Sequence, residues 1–68
     1  MHLYNNVHKL RKNLHMTQED LANAVGVTRQ TIISIEQGKY IASLPLALKI
    51  AKVFNTPVEE IFELGEED

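Results

Sequence analysis

The chain has 68 residues, a net charge of −2 and no cysteine, so it is limited to one small domain that neither a disulfide nor a thiolate metal site can stabilise. No apolar run approaches the roughly 20 residues of a membrane-spanning helix, and residues 1–15 lack the uninterrupted apolar core of a signal peptide. These features exclude membrane-spanning and disulfide-rich secreted proteins, and we expect a cytoplasmic protein.

The charges are unevenly distributed along the chain. Residues 1–40 carry five basic and three acidic side chains, a net charge of +2, whereas residues 41–68 carry two basic and six acidic ones, a net charge of −4. An acidic total therefore does not exclude a phosphate-binding face in the first part of the chain.

The first two predicted helices are short and amphipathic. The first runs from about residue 6 to residue 13, with an apolar face formed by Val7, Leu10 and Leu14. Thr17 is the candidate N-cap of the second helix, Asp20 completes a weak capping box, and Gly26 ends the helix in the left-handed conformation. The apolar stripe of this second helix is Leu21, Ala22 and Val25.

Three further helices follow. Thr28 caps the third helix and Gly38 ends it, and Ser43 caps a fourth helix that terminates at Asn55. The inward residues predicted for the fourth helix are Leu44, Ala47, Ile50, Ala51 and Phe54. The segment Thr56-Pro57-Val58-Glu59 has a cap, an initial proline and a capping-box glutamate, so it predicts a fifth helix that ends near Gly65.

No stretch alternates like a β-strand and no segment repeats. The pattern therefore predicts an all-α fold, a compact five-helix bundle over residues 1–65, followed by a solvated acidic tail at residues 66–68.

The second and third helices have the features of a helix-turn-helix. Such a pair needs a glycine in its short turn and a small residue where the backbones approach, and Gly26 and Ala22 satisfy these needs. The apolar anchors on the two sides of the turn are Leu21, Val25, Val27, Ile32 and Ile35.

The stretch TQEDLANAVGVTRQTIISIEQGK resembles the helix-turn-helix domains of phage Cro and repressor proteins, also called the xenobiotic-response-element family. The positions in register are Thr17-Gln18, Leu21-Ala22, Gly26-Val27, Arg29-Gln30-Thr31-Ile32 and Ile35-Glu36, and the similarity extends from about Val7 to PVEEIF. The resemblance implies a five-helix domain that binds the major groove of double-stranded DNA, usually as a dimer.

The polar face of the third helix predicts base-reading residues. In a helix-turn-helix the N-terminal residues of the second helix of the pair meet the base edges. Arg29 can donate two hydrogen bonds to guanine and Gln30 can pair with adenine, while Thr31 and Ser34 are short enough to approach a base. Alternatively, this face is an ordinary solvated helix surface.

Phosphate contacts are predicted at the helix ends. Gln18 can bond a phosphate that also lies on the free N–H groups of the second helix, and Thr17 can assist when it is not used for capping. The resemblance implies further phosphate contacts at Gln37 and Lys39, which follow the third helix, and at Thr28. It also implies a partly buried structural ion pair between Arg11 and Glu36.

The sequence departs from the family pattern at His15 and Ile33. His15 occupies a turn position where glycine is common, and Ile33 lies on the outer side of the third helix.

A homodimer is expected because one small module makes few contacts, and two half-sites about 34–36 Å apart supply the missing ones. Some apolar side chains exceed what one small core needs. The candidate dimer contacts are Leu46, Leu48, Ile61, Phe62 and Leu64.

The residues offer no enzyme site. His2, His8 and His15 lack metal-ligand spacing, and the sequence shows neither a phosphate-cradling glycine loop nor a nucleophile beside a base. We therefore predict no catalysis, cofactor, metal or small-molecule effector. The expected function is a DNA-binding transcriptional regulator that acts as a repressor on a palindromic operator. The alternative is an antitoxin or a restriction-modification controller, which binds both DNA and a protein partner.

Overall fold

The structure is a computed structural model that describes residues 3–65. This part of the chain forms five helices and a two-stranded antiparallel sheet, in the order β1 (Leu3–Asn5), α1 (Val7–Asn13), α2 (Gln18–Val25), α3 (Arg29–Glu36), α4 (Leu44–Phe54), α5 (Val58–Ile61) and β2 (Phe62–Leu64). The predicted five-helix architecture is confirmed. The predicted all-α class is confirmed, with a small sheet that the sequence did not indicate, and the predicted acidic tail at residues 66–68 lies outside the described residues.

The starts of the three central helices are fixed by side-chain caps. The Thr17 hydroxyl accepts a hydrogen bond from the Asp20 backbone N–H at 2.9 Å, and the Asp20 carboxylate accepts one from the Thr17 N–H at 2.9 Å. This reciprocal bonding from Thr17 lowers the pKa of Asp20. Thr28 and Ser43 cap α3 and α4 by accepting from the backbone N–H three residues further on. All three predicted caps are therefore confirmed.

Four turns between the helices use the left-handed backbone conformation. Gly26 and Gly38 have φ of +76°, and the non-glycine residues His15 and Asn55 have φ of +58° and +52°. His15 therefore adopts at the α1–α2 turn the conformation for which the family prefers glycine, and Asn55 ends α4 as predicted. Histidine and asparagine enter this region more readily than most residues.

Gly26 is expected to be sensitive to substitution through its backbone alone. A Cβ atom built at this position meets no atom within 4 Å, but its φ of +76° is strained for an L-residue. We expect Gly26→Ala to lower the free energy of unfolding by about 1–2 kcal/mol, measured by urea denaturation. Gly26→Asn is the matched control and should lose less, because asparagine tolerates this conformation. Equal losses in the two variants would contradict the backbone explanation.

The core lies between α2, α3 and α4 and is closed by residues of α1 and α5. Its buried apolar members are Val7, Leu21, Ala22, Val25, Ile32, Ile35, Leu46, Ala47, Ile50, Phe54 and Ile61. Two predicted core residues are wrong, since Leu14 is 50% and Leu44 67% exposed. Leu14 lies beyond the last residue of α1, and Leu44 and Leu46 are about 200° apart around α4, so only one of them can face inward.

The residues predicted as dimer contacts differ in their burial. Leu46 is 7% and Ile61 only 1% exposed, so both side chains fill the core of their own chain and offer no surface to a partner. Phe62 is half-buried and packs against the same core. Leu48 and Leu64 remain exposed.

The sheet replaces the second half of the predicted last helix. β1 and β2 pair antiparallel with Leu3 opposite Leu64 and Asn5 opposite Phe62. The predicted Thr56 cap is wrong, because α5 begins after Pro57 without a side-chain cap and the Thr56 hydroxyl donates to the Phe54 carbonyl at 2.9 Å. Strands of three residues are too short for their alternation to be recognised in a sequence.

Candidate nucleic-acid interface

The helix-turn-helix is built by α2, α3 and the turn between them. The N–H groups of Gly26 and Val27 both bond back to the Ala22 carbonyl, which closes the end of α2. Thr28 follows in an extended conformation, and α3 begins at Arg29. The two helices pack through their buried faces, so the opposite face of α3 is left at the surface.

The side chains predicted to read bases lie on that outer face of α3. Arg29 and Gln30 are exposed, and Thr31 and Ser34 are half-buried. A shallow depression, the recognition cleft, is lined by Thr28, Gln30, Thr31, Ser34 and Tyr40. The Thr28 and Thr31 hydroxyls lie 3.0 Å apart and share a hydrogen bond, which fixes both side chains at the start of the helix.

A second and larger depression lies on the other side of the α3 N-terminus. This cationic cleft, of about 650 Å³, is lined by Arg11, Lys12, His15, Met16, Thr17, Gln18, Glu19 and Arg29. It brings together four predicted site residues, Arg11, Thr17, Gln18 and Arg29. Lys12, in the last turn of α1, and His15, in the left-handed turn that follows, also line this cleft and were not predicted as site residues.

Arg11 and Glu36 meet beneath the cationic cleft and join α1 to α3. The Arg11 Nε and Nη2 atoms lie 2.7 and 3.1 Å from the two carboxylate oxygens of Glu36, and both side chains are 6% exposed. Arg11 Nη1 also donates to the Met16 carbonyl at 2.9 Å, in the α1–α2 connection. A bidentate, buried pair of this kind depends strongly on both partners.

Two further side chains bond the same carboxylate. Gln18 Nε2 donates to Glu36 Oε1 at 3.2 Å, and His8 Nδ1 lies 3.3 Å from that oxygen and 3.0 Å from Arg11 Nη2. The Gln18 amide nitrogen carries two hydrogens, so one stays available after this bond. Glu36 therefore orients Gln18, a role that its position in the sequence did not indicate.

This set of donors decides the charge state of Glu36. Burial alone raises the pKa of the carboxyl, but hydrogen bonds from Arg11, Gln18 and His8, together with the Arg11 charge, outweigh burial and hold the pKa below its ordinary value. The hydrogen bond to Glu36 in turn raises the pKa of Arg11. Both groups are therefore charged near neutral pH.

The remaining predicted phosphate contacts lie apart from the two clefts. Gln37 and Lys39 are exposed just after α3. Gln37 lines a small depression beside β1, and the Lys39 backbone N–H bonds to the Ser34 carbonyl at 2.9 Å. Ile33 is half-buried, so it is only partly available to a ligand.

Residues 3–65 contain no group of three or more His, Cys, Asp and Glu side chains that could hold a metal ion. Among the same residues, no helix is long and apolar enough to cross a membrane.

Comparison with known families decides the identity of the fold. A family model described as helix-turn-helix matches residues 7–61, which include all five helices. The chain belongs to the helix-turn-helix family. It is of the phage Cro and repressor type, as the resemblance in α2 and α3 predicts.

Relatives of this helix-turn-helix chain occur in bacteria and archaea. An uncharacterised HTH-type transcriptional regulator of Methanocaldococcus jannaschii is 60% identical over 55 residues, which cover 79% of this chain and 83% of the relative. The uncharacterised HTH-type transcriptional regulator YgzD of Bacillus subtilis is 50% identical over 64 residues, which cover 94% and 97%. This helix-turn-helix protein is a DNA-binding transcriptional regulator.

The fold is also similar to a solved structure. The restriction-modification controller protein C.AhdI from Aeromonas hydrophila superimposes with a TM-score of 0.76 at 29% identity, over 81% of this chain and 83% of the controller.

Proposed function

We propose that this regulator binds a palindromic operator as a homodimer in the cytoplasm, with α3 in the major groove, and represses transcription from the promoter that it covers. The exposed polar face of α3, flanked on both sides by clefts, carries this proposal. A small protein on an operator excludes other proteins from the same DNA, which is the simplest route to regulation.

Direct readout is assigned to the N-terminal half of α3. Arg29 and Gln30 are exposed at its first two positions, where a helix entering the major groove meets base edges. Arg29 suits a guanine edge and Gln30 an adenine edge. Ser34, one turn later, lines the recognition cleft with Thr31 and permits close approach.

Phosphate binding is assigned to the cationic cleft and to the residues flanking α3. Gln18 contributes its second amide hydrogen from an orientation held by Glu36, and Lys12 in the last turn of α1 and His15 in the α1–α2 turn add donors. Thr17, Thr28, Gln37 and Lys39 complete the proposed backbone contacts. Such contacts fix the position of α3 without reading sequence.

Selection of bound sites from a random pool of double-stranded DNA tests the proposal. We expect enrichment of one inverted repeat whose half-sites are about 34–36 Å apart, with guanine or adenine at the positions facing Arg29 and Gln30. Placing the selected site over a promoter should lower the output of a reporter gene. A pool that remains random after repeated rounds would refute sequence-specific binding, and a raised reporter output would refute repression.

Lys39 is expected to contribute electrostatic affinity without specificity. Lys39→Ala should weaken binding to the selected site and to unrelated DNA by the same factor and reduce the slope of log affinity against log salt by about 1. Lys49→Ala, which removes another exposed charge, from α4, is the matched control and should leave the slope unchanged. A loss of affinity for the selected site alone would place Lys39 at a base.

A second candidate function is control of a restriction-modification system, favoured by the similarity to the C.AhdI controller. Both candidate functions, promoter repression and restriction-modification control, use the same outer face of α3 to bind DNA. A methyltransferase gene beside the gene of this protein, with the selected operator between them, would favour the controller.

A further inference from the structure

His8 places one ring nitrogen between the two partners of the buried ion pair. Its Nδ1 lies 3.0 Å from Arg11 Nη2, which is a donor, and 3.3 Å from Glu36 Oε1, which is an acceptor. The His8 side chain is 66% exposed, whereas that of Glu36 is 6% exposed. A ring that solvent can protonate therefore contacts a buried carboxylate.

The protonation state of His8 determines which partner its Nδ1 can bond. A neutral imidazole has one unprotonated nitrogen, and the shorter distance favours Nδ1 as the acceptor of the Arg11 N–H. A protonated imidazolium carries a hydrogen on both nitrogens, so its Nδ1 can only donate, and Glu36 Oε1 is the acceptor within reach. Histidine changes between these two forms in the range of about pH 5–8.

The two partners of the His8 Nδ1 keep their charges over the same pH range. The titratable side chains on α1 and on the elements around it are Lys9, Arg11 and Lys12 in α1, Tyr4 in β1, Glu19 and Asp20 in α2, Arg29 and Glu36 in α3, and Glu59 and Glu60 in α5. Of these, Arg11 and Glu36 bond to Nδ1, and both stay charged because the pKa of Arg11 is raised and that of Glu36 is lowered. Protonation of the ring therefore changes the hydrogen bonding of a network whose buried charges are fixed.

Glu36 Oε1 already accepts two other hydrogen bonds. Arg11 Nη2 lies 3.1 Å and Gln18 Nε2 lies 3.2 Å from this oxygen. Each oxygen of a carboxylate has about two lone-pair sites, so a donating imidazolium must weaken one of the existing bonds. Hydrogen bonds from charged donors are roughly twice as strong as those from neutral ones. Gln18 is the neutral donor of the three, so its bond is the one that is lost.

We propose that His8 is a positioning residue for Gln18, and that protonation of His8 releases Gln18 from Glu36 and weakens DNA binding. Once released, Gln18 no longer holds a fixed direction for its second amide hydrogen, which the proposed phosphate contact uses. The inference rests on the proposed function for the role of Gln18, and it adds a dependence of operator affinity on pH. Its sign is distinctive, because an added positive charge by itself strengthens the attraction to DNA phosphates.

Nuclear magnetic resonance of the full chain without DNA tests the release of Gln18 directly. Between about pH 8 and about pH 5.5, we expect the side-chain amide resonances of Gln18 to move with the same midpoint as the ring resonances of His8. In His8→Asn, which is neutral at every pH, the Gln18 resonances should stay fixed. The side-chain amide of Gln30, exposed on α3, is the reference and should stay fixed in both proteins. Gln18 resonances that do not follow His8 in the wild type would overturn the inference.

Operator affinity, measured at constant salt over the same pH range, tests the consequence. Wild-type affinity should fall about three- to tenfold towards about pH 5.5, because a hydrogen bond to a charged phosphate is lost and the added charge offsets only part of it. His8→Asn should show no fall, and Gln18→Ala should bind weakly at every pH and show none either. His15→Asn is the matched control and should retain the fall, since it removes an imidazole from the cationic cleft and asparagine tolerates the left-handed conformation.

Two results of the affinity measurements would overturn the inference. An affinity that stays constant or rises in acid would show that protonation of His8 does not weaken DNA binding. A fall that persists in His8→Asn or in Gln18→Ala would show that another group causes it. If no operator is selected at any pH but the Gln18 resonances follow His8, the proposed function fails and the positioning of Gln18 stands. If an operator is selected but the resonances do not follow, DNA recognition stands and this inference fails.

Discussion

The Arg11→Met variant is expected to unfold with a free energy about 3–5 kcal/mol below that of the wild type at neutral pH. The substitution leaves the Glu36 carboxylate 6% exposed without its bidentate partner, and an uncompensated buried charge costs this much. A domain of this size has only about 3–10 kcal/mol of stability in total. We therefore expect the variant to be largely unfolded at growth temperature, as measured by urea denaturation and circular dichroism.

The lowered pKa of Glu36 predicts how the stability loss in Arg11→Met changes with pH. In the wild type the pKa of Glu36 is lowered by folding, so its contribution to stability is present above the pKa of the unfolded chain and is lost as the pH falls through the folded value. In Arg11→Met the raising effect of burial is no longer offset by Arg11, so the remaining carboxylate is easier to protonate. The difference in stability between variant and wild type should therefore shrink from pH 7 towards about pH 4.

Two controls isolate the ion pair. Lys9→Met removes a positive charge from an exposed position of the same helix and should change stability little. A double-mutant cycle between Arg11→Met and Glu36→Met should show strong coupling, because removing both partners leaves no buried charge. Additive effects in the cycle would contradict the pair as the source of the stability.

The second large effect is expected on DNA binding. Arg29→Ala should weaken binding to the selected operator by about 1–3 kcal/mol, or roughly 5- to 150-fold, and relax the preference at one base pair in each half-site. Arg29 caps no helix, so the fold should remain intact. Competition binding against operators mutated one base pair at a time measures both effects.

A control is needed because Arg29 also lines the cationic cleft. Arg29→Lys keeps the charge but loses the planar pair of donors, so it should retain much of the non-specific affinity and still relax the base preference. If Arg29→Ala changes affinity equally for every sequence, then Arg29 contacts phosphate and the base-reading assignment must move along α3 to Gln30 and Ser34.

The sequence was most informative where one side chain determines a local conformation. Thr17, Thr28 and Ser43 were predicted as caps from their residue type and from the apolar pattern that follows, and each hydroxyl accepts the expected backbone hydrogen bond. Gly26 and Asn55 end their helices for the same local reason. The helix-turn-helix could be predicted because nearly all of its requirements fall within some twenty consecutive residues.

Features that depend on distant contacts were missed. β2 continues a helical-looking sequence, and only its pairing with β1, about sixty residues away, makes it extended. Likewise, Leu44 and Leu46 of α4 are equally hydrophobic, so the sequence does not tell which of them faces the core. The packing of α4 against α2 buries Leu46 and leaves Leu44 exposed. The bond from Gln18 to Glu36 joins α2 to the end of α3, and neither residue type indicates it.

The pairing of β1 with β2 has a consequence for the way the protein is made. Leu3 cannot meet Leu64 until the ribosome has added the intervening residues, which takes roughly 3–12 s at about 5–20 residues per second. Throughout that interval the edge of β1 has no partner, and an unpaired strand edge can join another chain. In a polysome, nascent copies emerge close together, and β1 finds its partner strand only after Phe62–Leu64 has been translated.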